Sequence, residues 1–199
     1  MNDQMNQGAV SVGIGRFRPC LRMYHANPKG TGCAVKMELH PAHDDVDGSI
    51  MLTLANQMTV GGVQGAARVF ATFDWMNSIC VKLDFSDLCK MLQVLRGECE
   101  SIDEGRGLFH SAPTGTKKIS FRHLLDPVTG YSLDVTSSAC RGGAESHAHF
   151  LFSDSEALGL CESISGSMSI VSFGIPVVIP HDTSAYVAEC RRARNVPAS

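Results

Sequence analysis

One pattern occurs twice in this chain of 199 residues: an alternating, strand-like segment ends in Phe-Ser-Asp and is followed at once by a helical segment. The first copy has its strand at residues 79–85, and the second at residues 148–152. Internal repetition of one strand-helix unit indicates a duplicated architecture. Two such units predict an α+β protein, in which sheets and helices bury their apolar faces against each other.

Each copy also carries residue types that begin a helix. Strict alternation of apolar and polar residues over 79–85 predicts a half-buried strand, and Ser86 then offers a hydroxyl to the free amides of a helix start. In the second copy, Ser153 and Glu156 have the spacing of a capping box. We therefore expect Ser86 and Ser153 to cap the two helices.

Further alternating segments extend the pattern to a duplicated ββββα unit with two antiparallel sheets packed against helices. Strands are predicted at residues 21–27, 33–39, 49–58 and 79–85, and again at 117–124, 131–137 and 146–152. Repeat one then covers about residues 17–97 and repeat two about 107–174. A single domain over residues 16–180 holds both repeats, between a flexible N-terminus at 1–15 and a C-terminal tail at 181–199.

Composition is typical of a globular protein. Hydrophobic residues make up 44% of the chain, and no apolar run approaches the ~20 residues that span a bilayer. The eight cysteines are scattered from Cys20 to Cys190 without a Cys-x-x-Cys pair, which favours reduced thiols over a disulfide frame or a zinc site. The N-terminal sequence lacks the basic region and apolar core of a signal peptide, so we expect a cytoplasmic protein.

Charge and motifs argue against several classes of function. The net charge of −3 gives no overall attraction for a polyanion, so such binding must rest on local patches. A Gly-x-Ser-x-Gly elbow and a phosphate loop are both missing from the sequence. His147 and His149 share a strand face but lack an obvious third metal ligand. We therefore predict a binding protein with no catalytic residues, no metal site and no cofactor.

Three short motifs, taken in order, resemble a known family. They are Phe-Asp-Trp at residues 73–75, Leu-Phe-His-Ser-Ala-Pro at 108–113 and Pro-Val-Thr-Gly at 127–130. The Whirly family of single-stranded DNA-binding proteins carries Tyr-Asp-Trp at the first place and Phe-Phe-His-Asp-Pro at the second. The resemblance spans roughly residues 21–174, which is most of the chain.

The resemblance implies both a fold and a function. Whirly proteins have two antiparallel sheets that protrude from a helical core, and their protomers join as a homotetramer through the helices. The implied function is binding of single-stranded DNA with low sequence specificity in DNA protection, repair, replication or transcription. One departure concerns the family's Lys-Gly-Lys-Ala-Ala-Leu stretch: this chain keeps Lys29-Gly30 but lacks the second lysine unless Lys36 substitutes. That departure bears on higher-order assembly more than on binding.

The predicted strands place basic side chains on an inferred outer sheet face. A basic sheet face can follow phosphates, and exposed aromatic rings can stack on bases. The predicted nucleic-acid-binding residues combine both kinds and are Tyr24, Lys29, Lys36, Trp75, Lys82, Lys118, Arg122 and Tyr131.

Other interpretations stay open at this point. Taken singly, each of these residues is more typical of a solvated lysine or a core aromatic than of a binding residue. An RNA-binding relative of the same fold would use the same surface, whereas a structural oligomer would bind protein or nothing.

The second predicted helix is unusually rich in small residues. Glycine inside a helix costs ~1 kcal/mol relative to alanine, so close approach of another helix is a plausible compensation. We predict an oligomer interface there, and packing within one chain is the alternative. The residues concerned are Gly159, Ser163, Gly166 and Ser167.

Overall fold

The computed structural model describes residues 20–42, 46–65, 67–113, 115–125, 127, 129–139 and 145–174. The predicted flexible N-terminus at 1–15 and the C-terminal tail at 181–199 lie outside these residues. No helix in the described ranges is long and apolar enough to cross a bilayer.

The first sheet is an antiparallel meander of four main strands. These run in the order β1-β2-β3-β7 and comprise β1 (Cys20–His25), β2 (Cys33–His40), β3 (Ser49–Thr59) and β7 (Ile79–Leu83). Between β3 and β7 the chain forms a separate two-stranded ribbon, β4 (Gly62–Gln64) with β5 (Ala67–Val69). The short strand β6 (Thr72–Phe73) then pairs with the far end of β3.

The second sheet repeats the meander. Its strands follow one another in the order β8-β9-β10-β11 and are β8 (Leu108–Ala112), β9 (Gly115–Leu124), β10 (Gly130–Ala139) and β11 (Ser146–Phe152). One helix follows each sheet, α1 (Phe85–Leu95) after the first and α2 (Asp154–Phe173) after the second. This duplicated ββββα arrangement confirms the predicted fold class. Strand β8 and the three short strands β4 to β6 were not predicted as strands.

The two helix starts differ in how well the sequence predicts them. Ser153 caps α2 in a capping box with Glu156, as predicted. The prediction for α1 was wrong, because Asp84 and not Ser86 is the capping residue. Asp84 Oδ1 accepts a hydrogen bond from Asp87 N at 2.9 Å, and Asp87 Oδ2 accepts one from Asp84 N at 3.2 Å. This reciprocal pair starts the helix two residues earlier than a cap at Ser86 would.

The large apolar side chains of each sheet are buried on its inner face. The outer face combines exposed side chains with small buried residues such as Ala34 and Ala55. In β2, Val35 and Met37 are buried on the inner face, and Ile119 and Phe121 take the same role in β9. Each fully buried side chain of this size contributes roughly 1.5–3 kcal/mol. The helices pack their apolar residues against this core. In α2 the buried residues are Ala157, Leu160, Ile164 and Val171.

The two sheets also meet each other through their inner sides. The ring of His25 in β1 stacks on Phe150 in β11, with centroids 4.3 Å apart. Asn56 Nδ2 in β3 donates to the carbonyl of His147 in β11 at 2.9 Å. These contacts fix which sheet faces are turned outward, and that decides which basic residues are available for binding.

Candidate nucleic-acid interface

The outer face of the first sheet carries two of the predicted lysines. Lys36 alternates with the buried residues Val35 and Met37, and it lies opposite Arg22 of β1 in the strand register. Lys82 alternates in the same way with buried residues of β7. Directly opposed residues of antiparallel strands project to the same side, so Arg22, Lys36 and Lys82 share this outer face.

Three aromatic rings pack beside Lys36 on that face. The ring of Tyr24, which is 52% exposed, lies 5.6 Å from Phe73 and 6.4 Å from Trp75 between centroids. Lys36 Nζ lies 5.9 Å from the centre of the Trp75 ring. We call Tyr24, Phe73 and Trp75 the aromatic cluster. It combines an accessible ring with a cation held over a second ring, an arrangement that stabilises a positive charge at an aromatic face.

The turn that follows Phe73 holds Trp75 in place. Asp74 accepts hydrogen bonds from the side chain of Asn77 at 2.8 Å and from its backbone at 3.1 Å. These bonds lower the pKa of Asp74 below its ordinary value of 3.8. Ser78 Oγ donates to the carbonyl of Trp75 at 2.9 Å. The Phe-Asp-Trp motif is therefore a turn that positions the indole against β2.

Part of the positive charge on this face is already paired. Lys36 Nζ lies 2.9 Å from Glu38 Oε2, two residues along the same strand. Among the described residues, the exposed Lys82 has no ion-pair partner. Lys82 is therefore the freer of the two lysines to meet a phosphate.

The outer face of the second sheet carries the other predicted pair. Lys118 and Arg122 alternate in β9 with the buried Ile119 and Phe121, and both are exposed. Lys118 pairs in register with Phe109 of β8, whose side chain is 64% exposed. Lys118 Nζ lies 5.4 Å from the centre of the Phe109 ring. Phe109 was missed as a site residue, although the alternation of buried Leu108 and exposed Phe109 would have shown it once β8 was recognised.

One carboxylate lies among these cations. Asp134 of β10 is opposite Ser120, which stands between Lys118 and Arg122 in β9. It accepts a hydrogen bond from Ser132 Oγ at 2.8 Å and lies 2.9 Å from His149 Nδ1. Burial acts to raise the pKa of Asp134, but the hydrogen bonds outweigh it and leave the pKa below 3.8.

The predicted histidine pair, His147 and His149, lies beside Asp134. His147 Nε2 lies 3.4 Å from Asp134 Oδ1, and His149 Nδ1 binds the same oxygen. The two imidazoles share one strand face, as the sequence indicated. In the described part of the chain, no group of three or more His, Cys, Asp or Glu side chains is arranged to hold a metal ion.

Two predicted binding residues lie away from the outer faces. Tyr131 has the parity of the buried Leu133, so its ring is on the inner side, 4.5 Å from His123 between centroids. Burial raises its pKa, and the nearby Asp154 adds to this effect. Lys29 is exposed in a turn where Asn27 Oδ1 accepts a bond from its amide at 3.0 Å. The structure therefore brings neither Tyr131 nor Lys29 to the outer face of a sheet.

The small residues of α2 are only partly used within the chain. No atom of the residues in the described ranges lies within 4 Å of a Cβ built at Gly159 or Gly166. Ser163 Oγ donates to the carbonyl of Gly159 at 2.7 Å, and Ser167 Oγ donates to that of Ser163 at 2.7 Å. Both serines also line a groove of about 240 Å³ between α2 and the edge of the first sheet. Packing against the described residues thus accounts for neither glycine.

Solved structures share this architecture. WHY1 from Arabidopsis thaliana superposes with a TM-score of 0.63 at 13% identity, covering 92% of this chain and 97% of that chain. The plant transcriptional regulator PBF-2 gives a TM-score of 0.60 at 12% identity, covering 92% and 91%. The fold is Whirly-like.

The Whirly-like fold is also similar to that of a guide-RNA-binding protein complex bound to a gRNA. That comparison has a TM-score of 0.52 at 16% identity and covers 77% of this chain and 91% of that chain. No protein-family model and no curated protein matches the sequence. The likeness therefore confirms the Whirly-like fold that the sequence motifs predicted.

Proposed function

We propose that this Whirly-like protein binds single-stranded nucleic acid, in the first place DNA with little sequence preference, along the outer faces of its sheets. One observation carries the proposal: a lysine lies over an aromatic ring on the outer face of each sheet. The pairs are Lys36 with Trp75 and Lys118 with Phe109. A ring supplies a platform for a base at ~1–3 kcal/mol, and a neighbouring cation supplies a phosphate contact.

The spacing of the cations suits an extended strand. Lys118 and Arg122 are four residues apart on β9, which corresponds to about 13 Å along the strand. They are therefore far enough apart to contact different phosphates. Base faces are accessible to protein rings only when the strand is unpaired, so the aromatic cluster favours single strands over a duplex. Binding of this kind needs no turnover, and we propose no enzymatic activity.

Local placement, and not total charge, supports this binding. The chain has a net charge of −3, yet Lys82, Lys118 and Arg122 are all exposed on outer sheet faces. Each phosphate neutralised by such a cation releases counterions and makes affinity depend on salt. Protection of exposed single strands in replication, repair or transcription is the role that such a surface would serve. A cytoplasmic location stays a prediction from the sequence.

RNA is the second candidate ligand. A solved complex of similar fold is bound to a gRNA, and stacking on rings tolerates either sugar because every base has a flat face. The contrasting class is a structural oligomer whose sheets bind no nucleic acid.

We also propose that the protein assembles as a homotetramer through α2. Support comes from Gly159 and Gly166, whose exposed positions leave open space that no residue in the described part of the chain fills. The apolar groove beside Ser163 and Ser167 is a further surface next to α2 that a second copy of the chain would cover.

A direct binding measurement tests the proposed function. Fluorescence anisotropy with a labelled DNA strand of about 30 nucleotides, its RNA counterpart and the matching duplex is run at about 50 mM salt and upward. We expect tight binding of the single strand, weaker binding of the duplex, and affinity that falls with salt. Tighter binding of the RNA strand than of the DNA strand would move the assignment to the second candidate. Failure to bind either single strand at low salt would contradict the proposed function and favour the structural oligomer.

A further inference from the structure

The ribbon formed by β4 and β5 is separate from the first sheet, because its two strands pair only with each other. Isolated two-stranded ribbons are marginally stable in water. This one also exposes large apolar side chains: Val63 is 79% exposed and Phe70, just after β5, is 72% exposed. An exposed apolar ribbon of this kind indicates a surface that is completed by something bound to it.

A cleft of about 700 Å³ lies between the ribbon and the turn after β1. Pro28 lines it on the turn side, and Val60, Arg68 and Phe70 line it on the ribbon side. Its volume is within the range of small-ligand pockets. Among the described residues that line it, Arg68 carries the only charge, so the cleft favours a ligand that is flat, largely apolar and singly anionic.

Arg68 and Phe70 repeat the chemistry of the sheet faces. The guanidinium carbon of Arg68 lies 5.3 Å from the centre of the Phe70 ring. This is a third cation over an aromatic ring, and neither residue belongs to a main strand of either sheet. Guanidinium groups bind phosphates through paired donors and stack on flat rings.

The cleft continues the aromatic cluster along the chain. Ala26, on its turn side, is two residues after Tyr24, and Ala71, on its ribbon side, is two residues before Phe73. A nucleic-acid strand that stacks on Tyr24 would therefore pass close to the opening of the cleft.

We propose that this cleft is a nucleotide-binding subsite, in which one unstacked base packs on Phe70 while its phosphate contacts Arg68. The inference rests on the proposed function, since it extends the path of the same single strand beyond the outer sheet face. It assigns the ribbon, which the sequence motifs leave without a role, to ligand binding.

Substitutions at the two residues test the subsite. Affinity for a fluorescein-labelled oligo(dT) of about 30 nucleotides is measured by anisotropy across salt concentrations. Phe70→Ala is expected to bind about tenfold more weakly with an unchanged salt slope, because it loses stacking alone. Phe70→Tyr restores parental affinity. Arg68→Gln lowers the salt slope by about 0.7, the value for one phosphate contact with a single strand.

The control is Phe173→Ala, which removes an equally exposed phenylalanine at the end of α2 and is expected to bind as the parent does. Circular dichroism verifies that each variant is folded. If Phe70→Ala binds like the parent while a Lys36/Lys82 double variant is weakened, the subsite is refuted and the proposed function stands. If the parent binds no single strand, both fall. A change in assembly mass on Phe70→Ala with unchanged affinity would make the cleft a protein contact and overturn the subsite.

Discussion

His25 Nε2 lies 2.7 Å from Glu156 Oε1, which joins β1 of the first sheet to the first turn of α2 across 131 residues of chain. The same carboxylate closes the capping box, since Glu156 Oε2 accepts a hydrogen bond from Ser153 N at 2.9 Å. Burial acts to raise the pKa of Glu156, but the bonds from Ser153 and His25 outweigh it and leave the pKa below 4.5. Glu156 therefore couples the two repeats through its ionised form.

Replacing this carboxylate should cost stability in a pH-dependent way. A depressed folded-state pKa means that the contribution is present above about pH 4.5 and is lost as the pH falls through the lower folded value. Glu156→Gln is expected to lower the free energy of unfolding by about 1 kcal/mol near neutral pH and by less below pH 4. Urea unfolding at both pH values measures it. Glu162→Gln, an exposed change on the same helix, should show neither effect.

Local patterns in the sequence were sufficient for seven of the eight main strands and for the outward placement of their basic residues. Ile79, Val81 and Leu83 are buried and Lys82 is exposed, as strict alternation predicts. Strand β8 was not predicted, because it is short and its pairing with β9 is established only in the folded chain. The cap of α1 was assigned to Ser86 because both Asp and Ser are favourable caps, and only the reciprocal bond with Asp87 decides between them.

For the candidate site residues, too, the sequence predicts which face of a strand a residue lies on but not which residues meet across strands. The parity of Lys118 and Arg122 follows from their own strand, so their outward placement could be predicted. Tyr131 shares the parity of Leu133 and Val135, both buried, and that alternation already indicated an inner position. The contact between Lys118 and Phe109 depends on the register of β8 against β9, which no local pattern specifies.

Removing two lysines from the first sheet should weaken binding without unfolding the protein. Lys36→Ala combined with Lys82→Ala is expected to lower the salt slope for single-stranded DNA by about 1.4 and the affinity by about tenfold at low salt. Anisotropy titrations at several salt concentrations measure both. Lys90→Ala is the control, because Lys90 lies on α1 and pairs with Asp103 at 2.8 Å. The proposed surface is wrong if the double variant binds like the parent while deletion from Arg191 onward abolishes binding.

Removing the carboxylate of the second sheet should have the opposite effect. Because the pKa of Asp134 lies below 3.8, the group is ionised near neutral pH and repels phosphates close to Lys118 and Arg122. Asp134→Asn is expected to tighten binding of single-stranded DNA about threefold, as measured by anisotropy. Glu98→Gln, an exposed change beyond α1, should leave affinity unchanged. Unchanged or weaker binding of Asp134→Asn would show that the ligand does not contact this face.

Thiol reactivity should differ sharply between two cysteines. Burial raises the pKa of Cys33 to about 11, so almost no thiolate forms at neutral pH, whereas Cys99 is exposed. Iodoacetamide is expected to label Cys99 in the native protein and Cys33 only after unfolding, as read by peptide mass mapping. In denaturant without reductant all eight cysteines should react, and protection of most of them as disulfides would contradict the sequence prediction.

The exposed glycines of α2 give a test of assembly. Among the described residues of one chain, a side chain at Gly166 meets open space, so Gly166→Ala should stabilise a monomer by about 1 kcal/mol. If α2 packs against a second copy, a large residue there must instead disrupt the contact. We expect the parent to have about four times the chain mass of 21.4 kDa in light scattering, and Gly166→Leu to have a lower mass with unchanged circular dichroism. Ser138→Leu makes a similar apolar change on the exposed end of β10 and should keep the parental mass. A parent that stays at 21.4 kDa at micromolar concentration would remove the tetramer from the proposal.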